Sequence, residues 1–322
     1  MTRSALAVGC VALGLLFAGC GGSSDDEPKV APAKDRSEEV ADLKRQAKRL
    51  RAQAKRARRE NSTPSAESPG AGDAEAGRFL AKLPGTTGLA VSAPGASGPA
   101  IVAGGFATGD AWSTIKVPIA ERVLEDAGGP GGITADQNGQ IHAAITLSDN
   151  DAAAALFESL EGRHGGLGGA SKAVERMLRR AGDAQTVVST VGRDGFSTYG
   201  QTDWSLADQA TYMAALAGGC VGEAGTRSHL LGEMSAVGGS DTFGIGAAGY
   251  PAKWKGGWGP GTDGRYLVRQ MGVMDVDGKQ MVIAIAAIPD DGTFEGGGSM
   301  LSEIARWAAA NLADRVPAPA GC

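Results

Sequence analysis

Three short groups of residues suited to acyl transfer occur in one order along this chain: Ser113-Thr114-Ile115-Lys116, Ser148-Asp149-Asn150 and Lys255-Gly256-Gly257. Residues three apart lie on one face of a helix, so Ser113 and Lys116 can point into a single cleft from a helix's first turn. A solvated ammonium is a poor base. Buried beside apolar or cationic groups, its pKa falls and it can take the serine proton. The positive end of the helix favours the developing alkoxide. In the second group, Ser148 can carry a proton to a leaving nitrogen, and Asn150 can bond an amide and position Lys116. Asp149 suits the N-cap of the helix that Ala152-Ala153-Ala154 continue.

S-x-x-K, S-D-N and K-T-G, in that order, mark the class A β-lactamases and penicillin-binding proteins, and the first two elements are met letter for letter. On these residues the chain resembles the penicillin-recognising serine hydrolases over roughly residues 76–314. The resemblance implies Ser113 as nucleophile and Lys116 as its base, with Ser148 and Asn150 handling the leaving group and the substrate amide. Lys255 would support a substrate carboxylate, and Arg265 matches in spacing an arginine aimed at the same group. The backbone N–H of Trp258, just after Gly257, would join that of Ser113 in an oxyanion hole.

Two departures matter. Gly256 stands where the family has a Thr or Ser hydroxyl, and in a chain with 51 glycines a K-G-G is common by chance. Class A β-lactamases also carry a glutamate between the second and third motifs that activates the deacylating water. Residues 183–221 hold no glutamate; the nearest carboxylate to the expected place is Asp194. The gap between the first two motifs is shorter than in those enzymes, which implies a trimmed helix or lid. The expected function is a serine acyl-hydrolase that forms a slowly released acyl-enzyme through Ser113 with β-lactams or D-Ala-like peptidoglycan peptides. The alternatives are an active β-lactamase using Asp194 or another base, and a non-catalytic wall-associated scaffold. No cofactor is implied. His142, His164 and His229 lie in no G-x-S-x-G context, no His or Cys cluster has metal spacing, and no glycine-rich loop fits a phosphate.

The elements that must position these residues read as one α+β domain over residues 76–322: an antiparallel sheet packed by N- and C-terminal helices, with a mostly helical subdomain. A helix over 77–83 precedes strands at 88–92 and 100–106, and a long helix over 111–127 carries the first motif. Helical patterns follow at 152–160, 171–181, 206–217 and 226–236. Strands at 252–258, 265–276 and 280–288 complete the sheet, with Asp277-Gly278 as the hairpin signal between the last two. A final helix covers 299–313.

Upstream, residues 1–19 have the form of a lipoprotein export signal. Arg3 supplies the charged end, residues 5–18 an apolar core too short to span a bilayer, and Ala18-Gly19 the small residues before a lipid-bearing Cys20. Phe17 stands where such signals usually carry leucine, so an ordinary secretory signal is the alternative. Residues 20–36 suit a tether and 61–75 a second linker. Between them, over 37–60, Val40, Leu43, Ala47, Leu50, Ala54 and Ala57 follow the spacing of a basic amphipathic helix or short coiled coil, able to lie against anionic lipid or wall polymer. A net charge of −5 argues against nucleic acid as a partner. In an oxidising envelope Cys220 and Cys322 can pair, and the oligomeric state stays open.

Overall fold

Asp73 caps helix α1 (Ala74–Leu80) by accepting from the N–H groups of Glu75 and Ala76, and it opens the described part of the chain, residues 73–322 of the computed structural model. The expected signal, tether, basic helix and Cys20 lie outside the described residues, as does most of the 61–75 linker. The cap brings the first helix three residues earlier than the sequence pattern predicts. Strands β1 (Gly85–Ser92) and β2 (Ile101–Gly104) follow, then a short β3 (Thr108–Asp110).

The single helix expected over 111–127 is divided. Trp112–Ile115 forms a 3-10 turn, and helix α2 runs over Lys116–Asp126. Trp112 has a φ of 50°, which a continuous right-handed helix cannot hold. Pro118 lies in the first turn of α2, where its missing N–H costs nothing. Helices α3 (Ala135–Thr146), α4 (Asn150–His164) and α5 (Leu167–Arg180) come next, and β4 (Asp203–Ser205) returns to pair with β3. Neither α3 nor β4 was marked by periodicity. The first begins at a capping box between Thr134 and Gln137 and buries only Ile141, Ala144, Ile145 and Thr146.

Helices α6 (Leu206–Gly218) and α7 (Ala224–Ser235) lead to β5 (Ala252–Pro260), β6 (Tyr266–Val276), β7 (Lys279–Pro289) and the terminal α8 (Phe294–Leu312). The fold is α+β, with a five-stranded antiparallel sheet in the order β2-β1-β7-β6-β5. Asp277 and Gly278 both have positive φ, 53° and 82°, as the two-residue hairpin requires. Both sheet faces are buried, so β7 reads as an apolar run rather than an alternation. Met281, Ile283 and Ile285 meet Leu301, Ile304 and Ala308 of α8, while Val282, Ala284 and Ala286 join the core of α6 and the helical subdomain.

One buried cation ties the sheet to the helices. Arg269 of β6 is fully buried and donates to the carbonyls of Gly109 at 2.8 Å, Asp110 at 3.0 Å and Trp204 at 2.9 Å, and to Gln209 Oε1 at 2.6 Å. Gln209 Nε2 in turn donates to Thr114 Oγ1 at 2.7 Å, which bonds the Ala111 carbonyl. The turn that holds Ser113 is therefore suspended from β6 through α6.

A second buried ionisable group lies on α2. Tyr212 Oη donates to Glu121 Oε2 at 2.6 Å, and burial pushes the Glu121 carboxyl from 4.5 up to about 7. Between those values the folded chain keeps a proton that the unfolded chain releases, so stability falls as pH rises through this window. Glu121→Gln should remove that fall. Unfolding free energies from urea titrations at about pH 4.5 and pH 8 should fall by up to roughly 3 kcal/mol in the wild type and by less in the variant.

Candidate active site

Ser113 sits between β3 and α2, half-buried, one turn before the fully helical Lys116. Lys116 is 2% exposed. Its Nζ donates to the Ser148 carbonyl at 2.7 Å, the Asp149 carbonyl at 3.2 Å and Asn150 Oδ1 at 2.8 Å, so all its hydrogen-bond partners belong to the second motif. Asp149 caps α4 by accepting from Ala152 N at 2.7 Å. That leaves its carbonyl and that of Ser148 to face the lysine. Ser148 has a φ of 56°, a left-handed backbone uncommon for serine and placed at the mouth of the cleft.

Lys255 of β5 enters from the opposite side. It is fully buried and donates from Nζ to Ser148 Oγ at 2.8 Å and to the Gly256 carbonyl at 2.9 Å. Both amines thus bond Ser148, Lys116 at its backbone carbonyl and Lys255 at its hydroxyl. Burial lowers Lys116 from 10.5 to about 8, against the opposing attraction of Asp149 and Asp241. Burial and the neighbouring Lys116 charge lower Lys255 to about 7. Both amines can therefore exist neutral near physiological pH.

Strand alternation decides what β5 offers. Lys255 and Gly257 face the Ser113 turn; Gly256 and Trp258 share the other face. A Cβ on Gly257 would lie 2.7 Å from Ser113 N and 2.9 Å from Thr114 N, so strand and turn meet backbone to backbone. This contact sets the amide that follows, that of Trp258, beside the Ser113 turn. Trp112 is seated in the same way, because only glycine at 259 leaves room for its ring.

Ser113, Lys116, Ser148 and Asn150 form the polar floor of a cleft of about 450 Å³, whose lining does not include Lys255, Gly256 or Gly257. Leu147, Phe196, Tyr199 and Trp258 form apolar walls, and Asp241 contributes a buried carboxylate. None of these five was singled out for this cleft by sequence except Trp258, and that for its backbone. They come from four separate segments, and no local pattern marks them. Arg265 is placed elsewhere. It is exposed, its Nε bonds Asp263 Oδ2 at 2.9 Å, and it does not line the cleft. Asp194 is also exposed and outside the lining, although Gly195, Phe196 and Ser197 belong to it. Cys220 and Cys322 form a disulfide, with Cα atoms 5.2 Å apart, that ties the C-terminus to the end of α6. Among the described residues no helix is long and apolar enough to cross a membrane.

This architecture is that of the class A β-lactamases. A β-lactamase from Streptosporangium roseum superposes with a TM-score of 0.57 at 18% identity, covering 74% of this chain and 99% of its own. A variant of the reconstructed class A β-lactamase of the last common ancestor of Gram-negative bacteria gives 0.58 at 20% identity, over 75% and 100%. A putative class A β-lactamase from Rhodopseudomonas palustris gives 0.56 at 18%, over 73% and 97%. No protein-family model and no curated protein matches the sequence. The similarity is therefore one of fold, at low identity.

The two glycines of the third group should respond differently to a methyl group. Gly257→Ala drives Cβ into backbone nitrogen atoms that cannot rotate away, and should cost roughly 1–3 kcal/mol. A Cβ at 256 meets only the edge of the Trp258 ring, at 3.2 Å, so Gly256→Ala should cost less. Denaturant midpoints of the two variants give the comparison.

Proposed function

We propose that this chain is an exported serine acyl-hydrolase in which Ser113 forms a covalent acyl-enzyme with β-lactams or D-Ala-like peptidoglycan peptides. The observation that carries the reading is that Ser148 accepts from Lys116 at its backbone carbonyl and from Lys255 at its hydroxyl, which brings the three motifs together where Ser113, Lys116 and Ser148 line one cleft. Lys116, once neutral, keeps two N–H donors and gains a lone pair for the Ser113 hydroxyl. As Ser113 Oγ bonds the carbonyl carbon, its proton passes to Lys116. Ser148, held by Lys255, delivers a proton to the departing nitrogen as the C–N bond breaks, and the proton that Lys116 took from Ser113 replaces it, so that the amine and the Ser148 hydroxyl are both restored. The amides of Ser113 and Trp258 are the candidates for stabilising the tetrahedral oxyanion. Release of the acyl group needs a base over a water. With Asp194 outside the cleft lining and no glutamate in 183–221, the acyl-enzyme is expected to persist.

The test is intact mass after incubation with a penicillin. A stoichiometric adduct on the wild type, absent in Ser113→Ala, is the expected result; labelling that survives in the variant defeats the mechanism. Lys116→Ala should slow acylation about a hundredfold or more. Because the reactive amine is the neutral form, the acylation rate should rise with pH and level off above about 8.

The anchoring part of the reading rests on residues 1–60 of the sequence. Lipid on Cys20, followed by a basic helix, would hold the domain at the outer face of a membrane. Fractionation should place the wild type with membranes and release or leave unprocessed the Cys20→Ser variant. A fully soluble, lipid-free wild type would remove the anchor.

A further inference from the structure

Strand β5 orders the site from one end to the other. Lys255 bonds Ser148, Gly257 meets the Ser113 turn, Gly259 seats the Trp112 ring, and the Pro260 carbonyl accepts from Arg193 Nη2 at 2.6 Å. From Lys255 to Pro260 the extended strand spans about 17 Å. With the departing nitrogen at Ser148, the acyl side of a substrate on Ser113 points away from Lys255, toward Trp112, Phe196 and Arg193.

Arg193 anchors that end. Residues 191–197 are exposed apart from Arg193, which is half-buried. Its Nε donates to Gln201 Oε1 at 2.7 Å, and its guanidinium carbon lies 5.4 Å from the centre of the Trp112 ring and 4.6 Å from that of Phe196. The two rings meet edge to face at 5.2 Å. Among the described residues, the hydrogen bonds of 191–198 otherwise stay within 189–201, so the bond from Arg193 to Pro260 is what fastens this stretch to the sheet. A planar guanidinium can lie on aromatic rings and still donate from its edge, which an ammonium cannot do. Phe196 and Trp112 both line the cleft, and Phe196 is 38% exposed. An apolar ring left open beside a cleft gains free energy when an apolar group covers it.

We propose that Arg193 is a positioning residue that sets selectivity on the acyl side: by fixing Phe196 against Trp112 it builds an aromatic wall that favours acyl donors carrying an aromatic group there. The proposal rests on the serine acyl-hydrolase reading and narrows its substrate class. Ser113 Oγ bonds the carbonyl carbon, the C–N bond breaks, and the nitrogen takes the proton of Ser148, which the one on Lys116 replaces. Arg193 does not line the cleft and exchanges no proton in this sequence. Its effect is on which acyl group is held while the others react.

Benzylpenicillin and its acetamido analogue share the ring that opens and the leaving nitrogen, and differ by one phenyl group on the acyl side. Acylation of the full-length protein, followed by intact mass, gives a second-order rate constant for each. The wild type should favour benzylpenicillin at least tenfold. Arg193→Ala and Phe196→Ala should each lower that ratio several-fold, and the double variant should lower it no further, because both changes remove one wall. Arg193→Lys keeps the charge but loses the planar fork, and should fall between wild type and Arg193→Ala. If Arg193→Ala does not fold, the ratios in Arg193→Lys and Phe196→Ala decide. An equal loss of rate with both compounds in the Arg193 variants makes the residue merely structural and overturns the proposal. A wild type that acylates on Ser113 without preferring benzylpenicillin also overturns it, and leaves the acyl-enzyme reading standing. No Ser113 adduct from either compound overturns that reading and the selectivity with it.

Discussion

Lys116 and Lys255 approach one serine from opposite sides, both buried, and neither can be tolerated there without acceptors for its N–H groups. An unpaired buried ammonium loses its proton or unfolds its surroundings. The fold supplies the acceptors largely from backbone: the carbonyls of Ser148, Asp149 and Gly256, with the side chains of Asn150 and Ser148 completing the set. This explains why Ser148 adopts a left-handed backbone and why Asp149 caps α4. Together they turn two consecutive carbonyls toward Lys116. Desolvation pushes both amines toward the neutral form, the Lys116 charge adds to this at Lys255, and Asp149 and Asp241 limit how far it goes.

Holding the amines at that spacing requires the turn carrying Ser113, the start of α4 and strand β5 to be fixed relative to one another, although more than 140 positions separate the first from the last. Two devices do this. The bare backbone at Gly257 and Gly259 lets β5 lie directly on the Ser113 turn and the Trp112 ring. Behind the turn, Arg269 gathers carbonyls of β3 and β4 and, through Gln209 and Thr114, the turn itself. A guanidinium suits this role because its planar fork presents several donors at fixed angles. Neither device touches a substrate, and both determine where the reactive groups stand.

The walls of the cleft obey a different logic from its floor. The floor is polar, made from the first two motifs; the walls, Leu147, Phe196, Tyr199 and Trp258 with the carboxylate of Asp241, come from separate segments of the chain. Gly256, in the third motif, lies under the edge of the Trp258 indole, 3.2 Å from where a Cβ would stand.

The sequence by itself determined the α+β class, the order of the three motifs, the sheet strands of the C-terminal half, the Asp277-Gly278 hairpin and the cap at Asp149. Each is written in contiguous residues, through apolar runs, turn dipeptides or cap chemistry. Boundaries shifted where tertiary contacts extend an element, as when the final helix begins at Phe294 rather than 299 because Thr293 caps it. Tertiary structure alone decided the rest. Helix α3, with a short apolar face and a glycine inside it, is held by its neighbours rather than by its own periodicity. The break at Trp112 comes from ring packing against Gly259, a residue far along the chain. The removal of Arg265 from the cleft reflects its ion pair with Asp263. Asp241 and Trp258 line one cleft because three-dimensional packing brings their loop and strand together, and spacing along a sequence carries no measure of such distances.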